Sequence, residues 1–177
     1  MANDRLPNPN RYIIENDADG NSFFSTALPA PVEVRSEIGG ALQRLSYQTE
    51  QSPVSLSGNN DLERYKTALQ TQSSLVTPGG GANVWYNDIP PNAESSPMHR
   101  TVTFDIVIVV TGEVELTLSN DETRVIKPGD MVIQRSTLHK WRNPSKTQWA
   151  RMVAIVSECQ PYVTEKGEAL GAYFSSN

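Results

Sequence analysis

The chain has 177 residues, enough to bury one sizeable core, and carries 15 Lys and Arg against 20 Asp and Glu, a net charge of −5. No basic block marks a nucleic-acid binder, and no apolar run approaches the roughly 18 residues of a membrane span. The N-terminal MANDRLPNPN is polar, unlike a secretory signal, and the one cysteine, Cys159, excludes an internal disulfide framework and a cysteine-based zinc site. These features set the expectation of a soluble cytoplasmic protein with neither nucleic acid nor membrane as partner.

In chain order, "RYIIENDADGNSFF" predicts two strands around a polar turn at Asp17–Gly20. "ALPAPVEV" is extended because Pro29 and Pro31 fix φ and restrict the residues before them. "GGALQRLSYQTEQ" fits a strand or a short irregular piece. "NNDLERYKTALQT" predicts a helix with Asn60 or Asp61 as N-cap and Leu62, Tyr65 and Leu69 on one face. "VTPGGGA" interrupts the chain; it lacks the Lys-Ser/Thr of a phosphate-binding loop and reads as a flexible entry to the strand-rich half.

From Ala82 to Ser157 the pattern changes to short β-branched runs: "ANVWYNDI", "TVTFDIVIVV", "EVELTL", "TRVIKP", "DMVIQR" and "WARMVAIVS". Turn signals separate them. Thr111–Gly112 predicts a tight hairpin, "SNDE" and "RNPSK" further turns, and Pro128–Gly129 a type II turn. Many short strands with closely spaced turns predict an all-β antiparallel sandwich or barrel. "EVELTL" alternates, so one face is buried; "DIVIVV" does not, which predicts cover on both faces. The division expected is an N-terminal extension over 1–80, a barrel over 81–157 and a peripheral tail over 158–177, with a short helix near "GEALGAYF".

Only two histidines occur, His99 in "SSPMHRTVTFD" and His139 in "STLHKWRN". These segments resemble the two motifs of the cupin superfamily. His99 takes the first His position of the first motif, Thr101 the second His position, Asp105 the Glu position, and Gly112 closes it. Gly129–Asp130 open the second motif, and His139 and Asn143 close it. Gln134, Arg135 and Ser136 replace its Pro-x-Gly turn, and the segment is one residue short. "MHRT", "VIQRSTLHKWRN" and "RYIIENDADGNS" also resemble small single-domain cupins of fungal and bacterial small-molecule pathways.

The resemblance implies a cupin-type antiparallel β-barrel or jelly roll, with an N-terminal strand extension and one or two short helices. It also implies a site built on His99, Asp105 and His139, which would either hold one divalent metal (iron, manganese, nickel or zinc) or act without metal as acid and base. Two imidazoles and one carboxylate suffice for a facial triad. On a straight strand the six residues from His99 to Asp105 would span about 20 Å. The two can therefore meet only if the chain turns between Thr101 and Phe104.

Each residue also has a plainer reading. Either histidine can be a hydrogen-bonded core residue near a strand end. Asp105, between Phe104 and Ile106, must be ion-paired, metal-bound or protonated, with Arg100, Arg135 and Arg142 as candidate partners. Strand parity lets only one of Trp85 and Tyr86, and one of Gln134 and Arg135, face the interior. Trp141 shares parity with His139. Thr101, Arg135, Trp141 and Trp85 are the expected substrate contacts. The function expected is a tailoring enzyme acting on an aromatic or polyketide-like metabolite by oxygenation, dehydration, isomerisation or cyclisation; the alternative is a non-catalytic small-ligand-binding cupin. A homodimer with the N-terminal strands at its interface is the expected assembly.

Overall fold

The computed structural model of the chain describes residues 5–71 and 74–175; the first four residues of the polar N-terminal stretch lie outside the described residues. The chain opens with a hairpin of β1 (Ile14–Asn16) and β2 (Ser22–Phe24). Asp17 shapes its turn, Oδ1 accepting the backbone N–H groups of Asp19 at 2.9 Å and Asn21 at 2.8 Å. Strands β3 (Ser36–Ile38) and β4 (Ala41–Gln48) come next, so "GGALQRLSYQTEQ" is a strand.

Helix α1 (Asn60–Ala68) buries Leu62, Tyr65 and Ala68. The Tyr65 hydroxyl donates to the Leu45 carbonyl at 2.9 Å and ties the helix to β4. Neither Asn60 nor Asp61 caps it. The N-cap is Asn59, in a left-handed conformation and without a side-chain cap bond. Asn59 Nδ2 instead donates to Glu15 at 2.6 Å, and Asp61 accepts the Tyr47 hydroxyl at 2.6 Å.

The remaining strands are β5 (Ala82–Ile89), β6 (His99–Arg100), β7 (Thr103–Thr111), β8 (Val114–Leu118), β9 (Thr123–Ile126), β10 (Met131–Arg135), β11 (His139–Arg142), β12 (Ala150–Glu158), β13 (Tyr162–Val163), β14 (Ala169–Leu170) and β15 (Tyr173–Phe174). A six-stranded sheet runs β10-β7-β12-β5-β4-β3, and a five-stranded sheet runs β15-β6-β11-β8-β9. All pairings are antiparallel. Val107, Val109, Ala154, Val156 and Trp85 from the first sheet share one core with Val114, Leu116 and Trp141 from the second. The result is an all-β jelly roll closed by two facing sheets. No helix among the described residues is long and apolar enough to cross a membrane.

Three features differ from the expectation. First, β7 and β8 lie in different sheets, so Thr111–Gly112 is a corner between sheets and not a hairpin. Gly112 has φ +69°, and a Cβ there would lie 2.8 Å from Ala150 Cα, so the corner packs directly on the start of β12. Second, β7 is covered mainly on one face: Asp105, Val107 and Val109 are buried, while Phe104 and Val110 are exposed. Third, the tail forms no helix near 167–174. It returns as β15 to the edge of β6, with Tyr173 opposite Arg100 and Phe174 opposite His99. Arg100 Nε donates to the Gly171 carbonyl at 2.9 Å, and the Ser175 N–H to the Met98 carbonyl at 3.0 Å. Open backbone groups on β6 were a stronger partner than a short glycine-broken helix.

The N-terminal segment is pinned by a buried charge cluster. Asp88 receives Arg151 at 2.6 and 2.7 Å and Arg44 at 2.7 Å, and is itself wholly buried. Arg151 also reaches the Pro7 carbonyl at 2.8 Å, and Arg44 reaches Asn8 at 3.2 Å. The segment around Pro7 and Asn8 is thus tied to β4 and β12.

Candidate active site

Between Arg100 and Thr103 the chain leaves the five-stranded sheet and enters the six-stranded one. This is the turn that His99 and Asp105 require, and Thr101 sits in it. Its Oγ1 meets Thr103 Oγ1 at 2.6 Å, and its carbonyl accepts the Ser136 hydroxyl at 2.8 Å.

Antiparallel pairing of β6 with β11 makes His99 and His139 direct cross-strand partners. Their ring centroids are 4.5 Å apart at 51°. Phe174 stacks nearly parallel on His99, 5.6 Å away at 8°, and Trp141 meets His139 edge-on at 6.3 Å. The two imidazoles therefore form the middle of an aromatic row.

Each ring has one nitrogen committed to the backbone. His99 Nδ1 lies 2.9 Å from the Pro97 carbonyl, with the Ser96 hydroxyl at 3.1 Å, and His139 Nδ1 lies 2.9 Å from the Thr137 carbonyl. A carbonyl only accepts, so Nδ1 carries the hydrogen in each neutral ring, and Nε2 keeps its lone pair. No hydrogen-bond partner holds either Nε2 among the described residues, and neither is a sealed orphan. Burial pushes His139 down to about 4, with the neighbouring His99 acting in the same direction and the Thr137 carbonyl opposing. His139 is thus an uncharged imidazole at neutral pH.

Asp105 points into the barrel from β7, opposite Gln134 on β10 and Val156 on β12. Burial raises its carboxyl to about 6, held back in part by the Thr103 hydroxyl. Its Oδ1 has no hydrogen-bond partner among the described residues, and neither has Gln134 Nε2. No arginine pairs with Asp105: Arg142 binds Glu115 and Asn92, Arg100 binds the Gly171 carbonyl, and Arg135 is exposed. The Asp–Arg pair considered from sequence is therefore absent among the described residues.

The other expected contacts divide by parity. Trp141 and Trp85 face the interior, with the Trp85 indole N–H donating to the Leu75 carbonyl at 3.1 Å. Arg135 does not: β10 alternates, and it is Gln134 that turns inward. Gln134 and Phe174 are the site neighbours that sequence reasoning left out. Parity against Asp105 could have found Gln134; no local signal pointed to Phe174. Cys159 is a free, half-buried thiol pushed up by burial, which fits an unreactive group.

The donor set does not complete a metal centre. His99 and His139 each present an Nε2 backed by a carbonyl at Nδ1, as metal-bound histidines do. Yet among the described residues no three His, Cys, Asp or Glu side chains are grouped to hold one ion. Two open clefts, of about 320 and 250 Å³, lie against α1 and the segments around it, away from the imidazoles.

Comparison with known proteins gives a consistent picture. The family model for the cupin domain, Cupin_2, matches residues 85–156. Oryzines biosynthesis cluster protein J of Aspergillus oryzae is 41% identical over 170 residues, covering 94% of this chain and 93% of that protein. Phomopsin biosynthesis cluster protein D of Diaporthe leptostromiformis is 39% identical over 166 residues, covering 94% of this chain and 86% of that protein. Cupin-domain-containing oxidoreductase srdB of Neurospora crassa is 37% identical over 158 residues, covering 89% of this chain and 78% of that protein.

Proposed function

The chain belongs to the cupin family, and we propose that it is a tailoring enzyme of secondary metabolism that moves protons on a small organic substrate with the His99–His139 pair. The observation that carries this reading is a shared backbone contact: both rings set Nδ1 2.9 Å from a carbonyl, which leaves Nε2 with no hydrogen-bond partner among the described residues. Two imidazoles 4.5 Å apart resist carrying two charges, so only one of the two Nε2 atoms takes up an added proton at a time. One Nε2 then takes a proton from an acidic C–H or O–H of the substrate, and the charged pair returns it at a second atom. Dehydration, isomerisation and cyclisation all have this form. Trp141 and Phe174, flanking the pair, favour a substrate with an aromatic or polyketide-like ring. The relatives named for biosynthesis clusters support the setting.

The test begins with the metabolite that accumulates when the gene is deleted from a producing strain. Purified protein in deuterated water is expected to convert it with deuterium at the reacting carbon and no oxygen consumption. Product that gains an oxygen atom as dissolved oxygen is consumed would replace this reading with an oxygenase. Stoichiometric binding without any conversion would favour the non-catalytic carrier.

We also propose a homodimer in the reducing cytosol, where the lone thiol stays free. The β1–β2 hairpin leaves Ile14 65% and Phe24 70% exposed, an apolar surface suited to a second copy. Light scattering at micromolar concentration is expected to give twice the chain mass; a monomer rejects it.

A further inference from the structure

We infer that Asp105 and Gln134 form an amide-recognition site on the inner wall of the barrel: Asp105 Oδ1 accepts a ligand N–H while Gln134 Nε2 donates to the adjacent ligand C=O. The inference rests on the proposed function, in which the barrel takes a small organic molecule, and names the group by which that molecule is held.

Strand register brings the two residues together. Gln134 is the direct cross-strand partner of Asp105, so the two side chains leave the same face of the sheet with Cβ atoms about 5 Å apart. That face is the interior, where Asp105 is 8% and Gln134 4% exposed. Buried polar atoms are almost always hydrogen-bonded, and each exception calls for an explanation. Here one acceptor, Oδ1, and one donor, Nε2, are both without a partner among the described residues, and the two do not bond each other although their strands are paired. No ion pair among the described residues neutralises Asp105; along the same wall Val156, Val107 and Val132 bring only hydrocarbon, and the Thr103 hydroxyl that faces the carboxyl leaves Oδ1 unmatched.

An acceptor beside a donor is matched by a donor beside an acceptor. An amide or lactam offers this pairing, its N–H next to its C=O. A ketone would satisfy Gln134 and leave Asp105 bare. An amine would do the reverse, and a carboxylate would be repelled by Asp105. Sites with such buried groups reject analogues that leave one of them unmatched. Phe174 and the imidazoles lie on the other sheet, so the recognised group and the reacting atoms would be held by opposite walls.

The full chain, labelled with 15N, is titrated with benzamide, acetophenone and benzoate while the Gln134 side-chain amide, the imidazoles and the tryptophan indoles are followed by NMR. Benzamide is expected to shift the Gln134 resonances and to bind at least about tenfold more tightly than the other two. Gln134→Met removes the donor to the C=O that both ligands carry and should weaken benzamide and acetophenone alike, by about tenfold each. Gln134→Glu, which replaces the donor by an acceptor, should do the same and serves if the Met variant unfolds. Equal binding of benzamide and acetophenone to the wild type, or a benzamide affinity that neither substitution changes, overturns the inference. Probes that shift only the imidazole signals overturn it while sparing the proposed function; failure of all three to reach the barrel removes both.

Discussion

His99 and His139 stand opposite each other across β6 and β11, with ring centroids 4.5 Å apart and both Nδ1 atoms bound to backbone carbonyls. Neither ring is an isolated core histidine. If they act as one proton-handling unit, His99→Gln and His139→Gln should each lower kcat by about 10²–10⁴-fold. The double variant should lose little more than the worse single one, because groups that act together are not additive. Steady-state kinetics on the accumulated metabolite measures this; full activity in both single variants rejects the assignment.

Stability should respond to pH in opposite senses through His139 and Asp105. The His139 pKa is depressed in the fold, from 6.5 to about 4, so its contribution is present above 6.5 and lost as pH falls towards 4. The Asp105 pKa is raised, from 3.8 to about 6, so its contribution is present below 3.8 and lost as pH rises through 6. Each is on the order of 3 kcal/mol, and the two oppose each other between pH 4 and 6. Relative to wild type, Asp105→Asn should therefore lose more stability on acidification from pH 6.5 to 4. His139→Gln should lose less. Urea midpoints across this range decide the matter; parallel profiles for all three proteins contradict it.

Among the described residues Asp88 is the single carboxylate between Arg44 and Arg151, and it is wholly buried. Asp88→Asn leaves two buried guanidinium groups without their counter-charge and should destabilise by about 3–5 kcal/mol. It should also loosen the N-terminal segment, which Arg151 holds through Pro7. Urea unfolding reads the first effect and proteolysis near residues 5–10 the second. A loss under about 1 kcal/mol would mean that the cluster is relieved by water.

Phe174 covers one face of His99 yet is itself 62% exposed and sits on a strand of two residues. Phe174→Ala should leave the unfolding midpoint almost unchanged, since surface substitutions away from the core stay within about 0.5 kcal/mol. It should raise KM several-fold with a smaller change in kcat, because the stack shapes the site without taking part in proton transfer. An unchanged KM places Phe174 outside the substrate's reach.

The sequence alone determined the strand-rich class, the antiparallel architecture, α1, and the landing of both histidines on positions that a jelly roll brings together. These rest on local signals: β-branched alternation, glycine and proline at turns, and motif spacing. Other features depended on which strands meet. The Gly112 corner had the local look of a hairpin, and only the alternation of β7 and β8 between sheets made it a link. Inward Gln134 and outward Arg135 were set by the register of β10 against β7, since a shift of one residue exchanges the faces. The return of 173–174 to His99 spans more than seventy residues of chain, and no periodicity encodes a pairing at that distance. The unpaired Asp105 likewise became visible only when every arginine that could have neutralised it was found bound elsewhere or turned to solvent. Hydrophobic pattern specifies which side of a strand is buried; the partner across the barrel is chosen by the packing of the whole.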